Sequence, residues 1–136
     1  MINELVAIND NTLDDEDGDN SDWIEIHNPT VGVLDLGGDF LTDDALNPTR
    51  WQLPAGTTLA GGGYLIIFAS GKDRATVGGE FHTNFNLNSS GEDLRLYASD
   101  GNTLISQLIY PSQIADIGYG IDDTDSLSFL APTPGA

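Results

Sequence analysis

"SDWIEIHNPT", residues 21–30, is the stretch on which the reading of the fold turns. In an extended chain Ile24 and Ile26 fall on one side and Trp23, Glu25 and His27 on the other, because successive side chains of a strand point to opposite faces. Asn28-Pro29 stops the run, since proline has no N–H to give to a ladder. Outward from this segment the same pattern recurs. "INELVAIN" (2–9) precedes it, and "GVLDLGGDFLTD" (32–43) follows, with Leu34 and Leu36 on a common face and Gly37-Gly38 free to bulge or turn. "YLIIFA" (64–69) is apolar on both faces and reads as a central strand covered on both sides. The polar segment 71–84 reads as the longest loop, and "NFNLN" (84–88) as a strand setting asparagines against Phe85 and Leu87. "LRLY" (94–97) and "TLISQLIY" (103–110) flank Ser99-Asp100-Gly101-Asn102, which supplies the positive-φ residues of a tight hairpin. "DIGYGI" (116–121) reads as a last short strand. "FLAPTPGA" (129–136) reads as a proline-stiffened exit, with 131–136 opening a linker.

Helical periodicity is nearly absent, and the short runs are separated by Gly, Asn, Asp and Pro about every ten residues. The expectation is an all-β, immunoglobulin-like sandwich of about eight or nine strands, mostly antiparallel. At 136 residues the chain is sized for one domain, 1–136, with enough length to bury a core. No apolar run approaches the roughly 18 residues of a membrane helix, and no basic-then-apolar leader is read at the N-terminus. With no cysteine, disulfides, thiolate metal sites and a cysteine nucleophile are excluded.

Charge is the dominant compositional fact: 22 acidic residues against 4 basic ones, net −18. Such a surface repels nucleic-acid phosphates and anionic membranes, so neither is expected as a partner. Either divalent cations neutralise part of the charge or the surface is adapted to a salty environment. Local crowding in "LDDEDGDN" (13–20) favours a cation there. Calcium takes six to eight oxygen ligands, commonly from carboxylates at alternate loop positions. Asp15, Asp17 and Asp19 have that spacing, Gly18 lets the backbone curl, and Asp22 or Glu25 would close the shell. The loop is not an EF-hand: counted from Asp15, Asn20 stands where glycine belongs and Ile26 where the bidentate glutamate belongs. The competing reading is a solvated connection in which Asp and Asn serve as turn formers. Two further acidic clusters, Asp39/Asp43/Asp44 and Asp122/Asp123/Asp125, read as hairpin tips, although Asp43 and Asp44 could join the first loop at one end of a sandwich.

Other motifs are weaker. His27 and His82 with a nearby acid could in principle hold zinc, but lone histidines in a sandwich are more often structural. "FASGK" is not a nucleophile elbow, "ASGKD" lacks the phosphate-loop frame, and "LAGGGYL" precedes a strand. Trp23 and Trp51 read as core or rim anchors. If exposed, they would be the stacking surface of a carbohydrate-binding appendage. Hydrolysis by Asp22 and Glu25 is disfavoured, because turn carboxylates are expected to lack the burial that separates two pKa values.

Read together and in order, "INELVA", "DEDGDNSDWIEIHNPT", "LDLGGDFLTDDALNPTRWQLP", "AGGGYLIIFASGKDR", "HTNFNLNSSGEDLRLYASDG", "DIGYG" and "PTPGA" cover almost the whole chain. In these motifs the chain resembles the lamin-tail domain family, in its bacterial secreted form. The resemblance implies a one-domain immunoglobulin-like sandwich with a non-enzymatic structural or protein-binding role. It also implies an extracellular or cell-surface location as an appendage of a larger bacterial protein, with protein partners or neighbouring domains. No heptad repeat is present, so filament assembly does not carry over.

Overall fold

The computed structural model describes residues 1–135. Among the described residues there are twelve strands and no helix, and three sheets organise them. The large sheet has the order β12-β11-β1-β2-β7-β8, built from β1 (Ile2–Val6), β2 (Trp23–His27), β7 (Tyr64–Phe68), β8 (Phe81–His82), β11 (Gly118–Ile121) and β12 (Leu127–Leu130). The smaller sheet runs β10-β9-β4-β5, from β4 (Phe40–Thr42), β5 (Trp51–Gln52), β9 (Glu92–Tyr97) and β10 (Leu104–Tyr110). β3 (Leu34–Asp35) and β6 (Thr58–Leu59) pair separately.

Alternation explains how the two larger sheets stack. Leu5, Ile24, Ile26 and Ile67 from the large sheet share one buried cluster with Leu41, Trp51, Leu94, Leu96, Leu108 and Tyr110 from the small one. Two inner faces closing on one core is the sandwich arrangement. The odd-numbered neighbours of Ile24 point the other way. Trp23 joins Val6 and Phe68 in a second cluster on the outer face of the large sheet. The excursion between β1 and β2 covers that cluster, and Trp23 Nε1 donates to Thr12 Oγ1 at 2.9 Å. Asn9 pins the excursion at both ends, donating to the carbonyls of Leu13 (2.6 Å) and Ser21 (2.8 Å). This covering is what places the acidic loop.

The strand count exceeds the expected eight or nine. The additional elements are mostly pairs of residues too short to show a period. β12 is different: it falls between the acidic turn and the proline exit, where no strand is legible. Among the described residues every ladder is antiparallel except β7 with β8, which run parallel. "NFNLN" has the expected alternate burial, with Phe85 and Leu87 inside, but only an isolated bridge from Asn86 to Ser70 instead of a ladder. β7 lies between β2 and β8, and only its end, Ile67 and Phe68, is buried on both faces.

The tail departs further from expectation. Residues 131–136 were expected to open a linker, yet Thr133 and Gly135 are tied back to the sheet; Ala136 lies outside the described residues. Thr133 donates from N–H (3.2 Å) and Oγ1 (2.8 Å) to Glu4, and the Gly135 N–H reaches Glu25 Oε2 at 2.6 Å. Gly120 makes this edge possible, because a Cβ there would stand 2.2 Å from the Asn3 carbonyl oxygen.

Candidate functional site

Asp15 organises the acidic loop. Its Oδ1 accepts the N–H groups of Asp17 and Asp19, both at 3.0 Å, and its Oδ2 accepts Ser21 Oγ at 2.8 Å. Gly18 turns the chain at φ +80°, and its N–H reaches the Asp15 carbonyl at 2.9 Å. A carboxylate collecting N–H donors in this way curls the backbone and gathers the neighbouring acids on one side.

The three alternate aspartates do converge. They meet on the ammonium of Lys72, whose Nζ stands 2.6 Å from Asp15, 2.9 Å from Asp17 and 2.9 Å from Asp19. Arg74 adds a second cation, NH1 to Glu16 Oε1 at 2.9 Å and NH2 to Asp17 Oδ2 at 2.7 Å. Both cations come from "SGKDR" (70–74), just after β7. Desolvation pushes the Asp15 carboxyl up, but hydrogen bonds from Lys72, Ser21 and the loop amides outweigh it and hold the group well below the usual carboxylate range. Arg74 first, then Lys72, holds Asp17 down. The same contacts, Asp15 foremost, raise the Lys72 ammonium.

Asp22 and Glu25 stand apart from this cluster. Asp22 precedes β2 on the inner-face register, where desolvation pushes its carboxyl up to about 7 against the N–H groups of Leu87 and Asn9. Glu25 is fully buried on the opposite register, accepting Asn3 Nδ2 at 2.9 Å and the Gly135 N–H. The expectation that these acids lack burial was therefore incorrect. They still do not form a pair, because they point to opposite faces of one strand. Asp43 does not join the loop either, and pairs with Arg50 at 2.8 Å. Asp122 ties the β11–β12 turn, accepting Thr124 Oγ1 and Ser128 Oγ, which draw its carboxyl down to about 2. Trp23 is 0% exposed and Trp51 3% exposed, so neither indole offers a stacking surface.

Sequence reasoning passed over Lys72, Arg74, Ser70, Glu80 and the buried Glu4. The available signal was arithmetic: of the chain's 4 basic residues, two fall within three positions of one another in "KDR". An acid-rich chain that spends half its cations in one short segment is pointing them at something. Ser70, His82 and Glu80 stand in a row, with Ser70 Oγ 2.8 Å from His82 Nδ1 and Glu80 Oε1 3.4 Å from Nε2. The ring is fully buried and stacked on Phe68, and the Ser70 contact orients the imidazole. On the outer face, His27 and Tyr64 stack at 4.3 Å beside a cleft of about 630 Å³ that Asn3, Asp122 and Leu130 help to line.

Among the described residues no helix is long and apolar enough to cross a membrane. No curated protein and no solved structure matches the chain. The family model described as Lamin Tail Domain matches residues 2–112, which takes in β1 through β10 with their intervening loops and stops short of β11 and β12. That family has an immunoglobulin-like, non-catalytic fold, in agreement with the two stacked sheets found here. The chain belongs to the lamin tail domain family.

Proposed function

We propose that this chain is a non-catalytic interaction module carried by a larger extracellular or surface protein of a bacterium, where it holds a protein partner or a neighbouring domain of the same polypeptide. One observation carries the interaction reading. β10, at seven residues the longest strand, forms one edge of the small sheet and leaves Leu104, Ile105 and Ile109 between 43% and 60% exposed. An edge strand with apolar outward residues is a template for strand addition by another polypeptide. Amide hydrogen exchange tests this. Residues 104–110 are expected to exchange more slowly in the parent polypeptide, or with its partner, than in the isolated domain. Equal exchange in both would remove the β10 edge from the proposal.

A second reading concerns the acidic loop: calcium held by Asp15, Asp17 and Asp19. It is supported by the convergence of one oxygen from each within 4.8 Å. Lys72 Nζ stands where the ion's charge would sit, so calcium must displace it. Lys72→Met is therefore expected to make the melting temperature strongly calcium-dependent, and Asp17→Ala with Asp19→Ala to abolish that dependence. Identical melting with millimolar calcium and with chelator, in both the native chain and Lys72→Met, would end this reading. A carbohydrate-binding role has no exposed tryptophan to rest on.

A further inference from the structure

The ion pairs of the acidic loop leave one buried nitrogen unanswered. The His82 imidazole is fully enclosed and stacked on Phe68, with ring centroids 5.3 Å apart. Its backbone exchanges two 2.9 Å hydrogen bonds with Arg74, and Ser70 Oγ holds Nδ1. Nε2 is buried and has no hydrogen-bond partner among the described residues. It faces Glu80 Oε1 at 3.4 Å, too poorly placed for a hydrogen bond. A buried polar atom left unpaired is costly and rare in native proteins. The acidic loop closes over the same point, because the Glu16 N–H donates to Glu80 Oε1 at 2.6 Å. Glu16, Glu80 and His82 each offer a ligand atom, all within 4.8 Å of one another.

We infer that Glu16, Glu80 and His82 form a site for a divalent transition-metal ion of the zinc class. The separation of Nε2 and Oε1 supports the class. Zinc bonds to imidazole nitrogen and carboxylate oxygen are about 2.0–2.2 Å, and at a tetrahedral angle two such ligands lie about 3.3–3.5 Å apart. The observed 3.4 Å falls in that interval. Calcium selects all-oxygen shells with longer bonds, so the imidazole argues against it here. In the tautomer with Nδ1–H, Ser70 Oγ accepts that hydrogen bond at 2.8 Å and the Nε2 lone pair is left for the ion, as metal-bound histidines are commonly held. The Glu80 and Glu16 side chains are 34% and 48% exposed, so the ion enters from the carboxylate side and water fills its remaining position. Arg74 NH1 is the competitor, and binding exchanges its contact with Glu16 for the ion while NH2 keeps Asp17. The site shares no ligand with the Asp15, Asp17 and Asp19 cluster, so this inference and the calcium reading fail separately.

The test is calorimetric titration of the whole, chelator-treated chain with zinc chloride. One ion per chain is expected, with affinity reduced more than about tenfold in Glu80→Gln and again in Glu16→Gln. These carboxylates are partly exposed, so both variants are expected to keep the native circular dichroism spectrum. Cobalt should give the visible bands of a tetrahedral nitrogen-containing site, and zinc should move the His82 Nε2 resonance while leaving His27 unmoved. Asp17→Ala with Asp19→Ala should leave zinc affinity within about threefold, since those residues lie outside the proposed shell. No heat above buffer, or unchanged affinity in Glu80→Gln, or a shift at His27 in place of His82, would overturn the inference.

Discussion

Two acidic regions of the molecule solve the same electrostatic problem in opposite ways. In the 14–19 loop, carboxylates face the ammonium and guanidinium of Lys72 and Arg74, and Asp15 and Asp17 are driven toward ionisation. On β1 and β2, Glu4 and Glu25 are register partners buried side by side, and the returning tail supplies N–H and hydroxyl donors to them. There desolvation raises Glu4, hydrogen bonds from Thr133 moderate the rise, and Glu25 adds to it. The difference teaches that crowding of like charges does not decide ionisation. What decides it is whether burial comes with a cation or only with dipoles.

That contrast can be broken most forcefully at Asp15. Asp15→Ala removes the acceptor of Lys72, Ser21 and two loop amides together, and about 3 kcal/mol of stability should go with it at pH 7 in urea unfolding. The folded carboxyl binds its proton more weakly than the unfolded one at its usual 3.8. Its contribution is therefore complete above that value and shrinks as pH falls below it, so native chain and variant should converge in acid. A loss under 1 kcal/mol would mean the loop is not held by its charges.

Asp22 sharpens the comparison from the other side, since it is partly buried with amide donors. Its folded pKa of about 7 lies above the unfolded 3.8, so folding takes up a proton between those values and stability falls as pH rises through the window. Asp22→Asn keeps an oxygen acceptor and should stabilise by about 1–2 kcal/mol at pH 8, after allowance for solvent screening, with no gain at pH 3. A gain that is independent of pH would refute the assigned shift. The smallest effect is expected at the tail. Thr133→Val deletes the hydroxyl donated to Glu4 and should cost about 1 kcal/mol at pH 7. In a Glu4→Gln background that cost should diminish; full additivity would show that the tail and the buried acid are energetically separate.

Much of this architecture was legible beforehand. The two faces of "DWIEIH", the β9–β10 hairpin around Gly101 and the alternate burial of "NFNLN" follow from a period of two that local chemistry enforces on any extended chain. The three alternate aspartates were legible as a convergent group for the same reason. Lys72 was not, because it lies more than fifty residues from Asp15 and nothing in spacing announces a partner across the sheet. β12 and the docked tail were hidden by their composition: Pro132, Pro134 and Gly135 read as an exit whether or not backbone donors later find buried carboxylates.

By itself, then, the sequence determined an all-β chain, the inward and outward residues of its main strands, and an acid-rich excursion ahead of β2. These are local matters of side-chain alternation, turn chemistry and charge density. Only tertiary structure decided which cations reach that excursion, that Asp22 and Glu25 face apart, and that His82 Nε2 meets two glutamates with no hydrogen-bond partner among the described residues. Those outcomes depend on how distant strands are stacked, and energies between charges and dipoles are set by distances and burial that no neighbouring residue encodes.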